Sequence, residues 1–536
     1  MKKKVTMLTL AAVLATGVLS GCTSKGEQAP SSSGGDKASA SGDKAMTITW
    51  FNGTWANPVP EPNNEANKKI NEKFNVTFKP QYIPYDLYTD KLTVKMASGD
   101  IPDVIGTEGA DANFVKWARQ GAFLPLNDYV DQIESFKAIP DSVWDVVRIE
   151  GQIYGIPHYF PASGGKKPII RKDWLDKLGL EVPTNFEELK EVAIAFATQD
   201  PDGNGKDDTI GLGLAKGIVY DPSFGAYWSN TWYHKDSEGQ LIPGQISPGA
   251  KEKVTAINEL FKAGAMDKDW TNKPYNDVFK DFNAGKVGIW YEQVGIDKGA
   301  QAGNLDIPTL KKNVPDAEVV SMPAFTAPDG TKGYVAGSGY YGVWMLSATL
   351  KKDEQKVKKI LEMMEYIEQY VPAEDQNPSN EYYDWANGGE GKGYTMVDGV
   401  PEPTAEYTKY APKALFSGDL GGWVVGDESM RDYEIKTKTP ESKAFNKDMV
   451  GMLENSDFYI SPVGRIHSSV YNSKISALNE FATNELTKMM VGQRPISDWD
   501  KYVDEYIAKG GKEVVDDVNK LLGEAGIQGE WKKAGQ

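Results

Sequence analysis

Residues 200–211 read Asp-Pro-Asp-Gly-Asn-Gly-Lys-Asp-Asp-Thr-Ile-Gly. Oxygen-bearing side chains stand at every second position, Asp200, Asp202 and Asn204, so a tight loop can wrap them around one hard cation. Gly205, at the sixth position, permits the sharp bend, and Lys206, at the seventh, offers its backbone carbonyl. Asp208 supplies another carboxylate. The spacing matches the first nine positions of an EF-hand loop and predicts a structural Ca2+ site. The twelfth position is Gly211, so the usual bidentate glutamate is missing. A polar turn without metal is the alternative. A second chemistry lies in the rings: the chain holds 14 Trp and 26 Tyr. Sugar faces carry C–H groups that pack on aromatic rings, and their hydroxyls demand fixed polar partners. Exposed rings flanked by carboxylates and amides therefore suit a sugar. Core packing takes most rings, and the cluster Trp228, Trp232 and Tyr233 suits either use. Catalytic signals are weak. His158, His234 and His467 form no metal-ligand spacing, and no Gly-x-Ser-x-Gly elbow occurs. With 76 acidic residues, carboxylate pairs arise by number alone.

These groups need a scaffold larger than one core. At 536 residues two lobes or domains are expected. The formal net charge is −17, and the first 21 residues carry three lysines and no acid, so a chain without them stands at −20. Nucleic acid is excluded as a partner, because phosphate binding depends on clustered Lys and Arg. Lys2-Lys3-Lys4 followed by an apolar run from Val5 to Leu19 reads as a signal peptide over residues 1–21. Leu19-Ser20-Gly21-Cys22 then resembles the lipobox of bacterial lipoproteins. That resemblance implies a diacylglycerol thioether on Cys22, the single cysteine, and an anchor on the extracytoplasmic face of a bacterial membrane. A plain secretory signal with an incidental cysteine is the alternative. Residues 22–45, rich in Ser, Gly, Ala, Lys and Asp, read as the lipidated end and a flexible tether.

From Met46 to Phe51 the alternation is that of a first strand, with Asn52, Trp55 and Asn57 in the loop after it. Tyr88 to Glu108 reads YTDKLTVKMASGDIPDVIGTE. Leu92, Val94, Met96 and Ala97 suggest a short amphipathic helix, stopped at Ser98-Gly99-Asp100. Asp103 to Gly106 reads as a buried strand, and Thr107 and Glu108 point into the crevice beyond it, where ligands of open α/β sheets collect. Val319 to Phe325 reads as a strand crossing between lobes, and Tyr341 to Ser347 with Glu354 to Ile367 as a strand and helix returning to the first.

KMASGDIPDVI, GQIYGIPHY (Gly151 to Tyr159), PIIRKDWLDKLGLEVPTNFEELKEVAIAF (Pro168 to Phe196), FNAGKVGIWYEQVG (Phe282 to Gly295) and LTKMMVGQRPISDWDKYVDEYIAKGG (Leu486 to Gly511) resemble segments of the solute-binding lipoproteins of carbohydrate ABC importers, the maltose-binding class. The 200–208 loop is similar to that of the calcium-bearing alginate-oligosaccharide-binding members. The resemblance implies two α/β lobes around a ligand cleft with several inter-lobe crossings. The first lobe would hold residues 46–160 and 339–370, the second 168–319 and 380–536. It implies capture of an oligosaccharide, delivery to the transmembrane subunits of an ABC importer, a monomer, and no enzyme activity. Cleft residues are expected at the ends of family-like strands: Asn52, Trp55, Glu108 and Tyr159 from the first lobe, and Trp232, Trp290, Glu292 and Trp423 from the second. A secreted polysaccharide-degrading enzyme, or a peptide-binding protein of the same architecture, remains the alternative.

Overall fold

The computed structural model describes residues 45–54, 59–216, 224–293, 307–416, 423, 437 and 439–533. Cys22 and Trp55 lie outside them. In chain order the strands that matter here are β1 (Met46–Thr54), β2 (Val76–Pro84), β3 (Val104–Thr107) and β4 (Ile156–Tyr159). Then follow β5 (Lys167–Arg171), β6 (Ile210–Leu212), β7 (Val287–Glu292), β8 (Val319–Ser321) and β9 (Gly333–Val335). β10 (Tyr340–Leu346) comes next, then β11 (Asp457–Ile460) and β12 (Glu530–Lys533).

The first lobe is a five-stranded sheet in the order β2-β1-β3-β10-β4. β1 pairs parallel with β2 and β3, and β10 runs antiparallel between β3 and β4. Helix α1 (Glu65–Phe74) supplies the parallel crossover from β1 to β2, with Asn64 capping its N-terminus by accepting from Asn67 N. Helix α2 (Tyr85–Ser98) ends as its sequence requires, at Gly99 with φ +74°. Its expected apolar stripe is not realised. Tyr88 and Leu92, four apart, face the core, whereas Val94 is 68% exposed. Leu92, Val94 and Met96 are spaced by two, and that period serves a strand and not one face of a helix.

The second lobe is built on the sheet β8-β5-β7-β6, with a smaller sheet β9-β11-β12 beside it. Helix α3 (Asp141–Val147) belongs to the first lobe. Helices α4 (Lys172–Leu178) and α5 (Phe186–Thr198) follow β5 in the second. Asn185 caps α5 by accepting from Glu188 N, and Glu188 returns a carboxylate to Thr184 N and Oγ1, each at 2.8 Å. The long helix α6 (Ser469–Met490) buries Leu478, Ala482, Leu486 and Met489 on the same core. Val319–Ser321 is an edge strand paired antiparallel with β5, and not the crossing expected there.

Each lobe has its own apolar cluster, one around Trp50, Val104 and Trp344, the other around Ile169, Phe196 and Ile289. Residues 381–416 and Trp423, expected in the second lobe, pack on the first. Phe416 stacks on Phe78 at 5.3 Å and meets Trp50 edge-on at 5.2 Å. Tyr82 Oη donates to Leu415 O, and Asn64 Nδ2 to Thr408 O at 2.9 Å. Burial of these rings against β1 and β2 outweighs proximity in sequence to the C-terminal helices.

The chain crosses between lobes at residues 160–166 and at 336–339, and Trp423 packs on the first lobe while the helix Pro440–Glu454 packs on the second. The first two crossings lie side by side. Phe160 N donates to Gly339 O at 3.3 Å, and Gly337 N to Ala162 O at 2.7 Å.

Candidate functional site

A cavity of about 810 Å3 opens between the lobes, beside the paired crossings. From the first lobe come Tyr159, at the end of β4, Phe160, Tyr340 and Trp423. Tyr159 and Trp423 meet edge to face, centroids 5.4 Å apart, and Trp423 Nε1 donates to Pro157 O at 3.1 Å. The sheet edge thus fixes the indole, leaving part of its surface on the wall. From the second lobe come Trp232 and the face of α6 that carries Tyr471, Asn472, Ile475, Asn479 and Thr483. Trp232 tilts against Tyr471 at 6.3 Å, and Trp232 O accepts from Tyr459 Oη at 2.6 Å.

Two polar atoms here lack protein partners. Gln245 is 9% exposed and spends Nε2 on Asn479 Oδ1 at 2.8 Å, but its Oε1 is buried and unpaired. His467 Nε2 is also buried and unpaired, and burial, with Arg119 adding to it, holds the imidazole below its ordinary pKa. An unsatisfied buried acceptor costs free energy that a ligand hydroxyl can recover. Arg465 ties the lobes together at this end. Its Nε and Nη2 donate to Asp145 Oδ2 on α3 at 3.1 and 2.9 Å, and Nη1 reaches Glu530 Oε1 on β12 at 3.2 Å.

The structure brings Tyr159, Trp232 and Trp423 together on this wall, with Trp423 on the first-lobe side. It does not bring the other expected cleft residues there. Asn52 is buried between strands, where a Cβ on Gly106 would stand 1.9 Å from its Oδ1, and its Nδ2 donates to Phe416 O at 3.0 Å. It thereby anchors the segment that leads to Trp423. Glu108 is exposed at the rim and accepts from Tyr341 Oη. Trp290 is stacked under Tyr275 at 5.4 Å in the second-lobe core. Glu292 is fully buried, with Lys166 Nζ 3.1 Å from both of its oxygens and Tyr275 Oη at 3.0 Å. Burial pushes its carboxyl up against the pull of Lys166. β7 is covered on both faces, so its residues point into core and not into the cleft.

The α6 face, Gln245, Arg465 and His467 were not expected from the sequence. A signal was present. Tyr471, Ile475, Asn479 and Thr483 recur every four residues, a stripe beside the apolar one on the same helix.

In the 200–208 loop, Asp200 adopts φ +50°. Asn204 Nδ2 bridges Asp202 Oδ2 at 2.6 Å and Asp208 Oδ1 at 3.0 Å, and Asp200 accepts from Asn204 N and Gly205 N at 3.1 and 3.0 Å. Burial and a hydrogen bond with Asp200 raise the Asp202 carboxyl, while that bond lowers Asp200. Carboxylates crowded this way are a charge arrangement that a divalent cation relieves. Among the described residues, no group of three or more His, Cys, Asp or Glu is gathered as a metal site.

Two α/β lobes, paired crossings and a cleft walled from both sides define a two-lobe binding protein. The chain belongs to the bacterial extracellular solute-binding protein family, which it matches over residues 52–371. Lipoprotein LipO of Bacillus subtilis is 26% identical over 452 residues, covering 82% of this chain and 85% of that protein. The polygalacturonan/rhamnogalacturonan-binding protein YtcQ of the same organism is 26% identical over 83% of this chain and 85% of its own. Among solved structures, a human-milk-oligosaccharide-binding, ABC-transporter-associated protein of Bifidobacterium longum infantis superposes with a TM-score of 0.62 at 20% identity. It covers 89% of this chain and 99% of that one. The alginate-binding protein AlgQ2, solved without calcium ion, gives 0.58 at 19% identity, with 91% and 99% covered. Likeness at that identity is likeness of fold.

Proposed function

We propose that this protein captures an oligosaccharide outside the membrane and delivers it to an ABC importer. The observation that carries the reading is the cavity. It is about 810 Å3, walled by Tyr159, Trp423 and Trp232 from opposite lobes, with Gln245, whose buried Oε1 is unpaired, among its lining residues. Rings take the apolar faces of a sugar, and amides and hydroxyls take its edges. Contacts from both lobes give the closed form a higher affinity than an open one, which is what makes closure follow occupancy. The names of relatives agree: polygalacturonan and rhamnogalacturonan for YtcQ, and fructooligosaccharide for FusA of Streptococcus pneumoniae. The protein acts as a binder, and Cys22 carries the lipid that holds it to the membrane. A glycan panel read by thermal shift tests the function. A ligand at about a hundred times its dissociation constant adds about 2.7 kcal/mol of stability. A panel of neutral and acidic oligosaccharides that leaves the melting temperature unchanged would sink it, and products released from any of them would mark an enzyme.

Asp200, Asp202, Asn204, Asp208 and the Lys206 carbonyl are proposed to hold a structural Ca2+. Turning the Asn204 amide to present its oxygen would complete the set. Calcium should raise the melting temperature and chelation lower it. Asp200→Ala with Asp208→Ala should abolish the response and leave glycan binding largely intact. Equal calcium responses in the double variant and the parent would refute the site.

A further inference from the structure

The cavity wall differs in charge from the rest of the molecule. Asp and Glu number 76, against 59 Lys and Arg. Yet among the described residues no Asp or Glu lines the cavity, whereas Arg465 and Lys532 do. The carboxylates that balance these cations, Asp145 and Glu530, are not among the lining residues. Arg465 holds both, and Lys532 Nζ lies 3.5 Å from Glu530 Oε2. Two cationic groups therefore stand on the cavity wall, while their counter-charges stand outside its lining. A fixed dipole aimed this way favours an anion, and more so where closing lobes exclude water.

Donor capacity points the same way. Each terminal nitrogen of a guanidinium carries two N–H groups. Arg465 spends one from Nη1 and one from Nη2 on its two partners, so each nitrogen keeps one to offer. A neutral sugar presents hydroxyls that donate best to ionised carboxylates. This wall answers with weaker acceptors, such as Gln245 Oε1. A sugar carboxylate would instead meet charge-assisted donors from Arg465 and Lys532.

We propose that the cavity selects a carboxylated, uronate-containing oligosaccharide over its neutral counterpart. The carboxylate would lie at the Arg465–Lys532 end, and Gln245 Oε1 would accept from a hydroxyl of a neighbouring unit. The proposal rests on the oligosaccharide reading above and narrows it.

The test titrates the full-length protein calorimetrically with short oligogalacturonides and oligomannuronates, each beside its carboxyl-reduced partner of the same length and linkage. At low salt at least one acid is expected to bind about tenfold or more tighter than its reduced partner, with the gap narrowing as salt rises. Lys532→Gln and Arg465→Gln should each shrink that ratio. Lys532→Gln, on an exposed position of β12, should do so without changing the melting temperature. Reduced partners that bind as tightly as the acids overturn this inference and leave the oligosaccharide reading standing, as does a ratio untouched in both variants. If neither acidic nor neutral glycans bind, both readings fall together.

Discussion

The two walls of the cleft are made differently. On the first lobe the wall is strand ends and rings, held by backbone: Tyr159 terminates β4, and Trp423 hangs from Pro157 O. On the second lobe it joins Trp232, Gln245 and Arg465 to one face of α6 that carries amides and hydroxyls, and the opposite face of α6 builds the core. The first wall is therefore part of the fold's stability. The α6 part of the second can change its chemistry at Asn472, Ile475 and Thr483 with little cost, because Leu478, Ala482, Leu486 and Met489 hold the helix in the core. A scaffold of this kind can vary its ligand from one side while the other stays constant.

Substitutions can break or sharpen that contrast. Trp423→Ala should do most. It removes a ring that is 8% exposed together with its bond to Pro157, for a loss of about 3 kcal/mol of stability and about tenfold or more in glycan affinity. Asn472→Ala, on the facing helix, should weaken binding with the melting temperature nearly unchanged. If denaturation and titration show both variants losing the same thing, the walls are not divided as described.

Between the walls, Lys167 sits buried where the first crossing enters β5, with Nζ 2.9 Å from Gly164 O and no carboxylate partner among the described residues. Burial lowers its amine to about 8. An unfolded lysine titrates near 10.4. Between those values the unfolded chain binds the extra proton, so stability should rise as pH goes from about 8 to 10. The gain is on the order of 3 kcal/mol, because the cost of burying the charged form is present below pH 8 and relieved above it. Lys167→Met should flatten this slope in chemical denaturation across that range. A wild-type slope retained by the variant would rule the residue out.

The smallest effect should come from Arg465→Ala. Asp145 is 27% and Glu530 43% exposed at the side chain, so solvent screens the bridge to about 1 kcal/mol. The loss falls on contacts made only with the lobes together, so the ligand-free protein should open and its radius of gyration in solution scattering should rise. An unchanged scattering curve would show that the bridge does not hold the lobes.

The strands and caps were readable because their signals are local. Gly99 stops α2 where expected. The two-lobe architecture was readable from segments similar to a known family. The path of residues 381–416 was not, because its place beneath Phe78 and Trp50 depends on contacts more than three hundred residues away in sequence. Cleft residues suffered from the same limit. Trp290 and Trp232 look alike in sequence, and only the covering of β7 decides that one is core and the other wall. The polar stripe on α6 was visible as a pattern, but its role required knowing that a second lobe faces it.

The bonds between the first two crossings have a mechanical consequence. Phe160 to Gly339 and Ala162 to Gly337 couple the two crossing segments into one short ribbon. A single strand permits bending and twisting about many directions. A bonded pair resists shear and torsion while still allowing flexion across its width. Such a pairing should favour a swing of the lobes about one axis, so that closure would bring Trp232 back opposite Trp423.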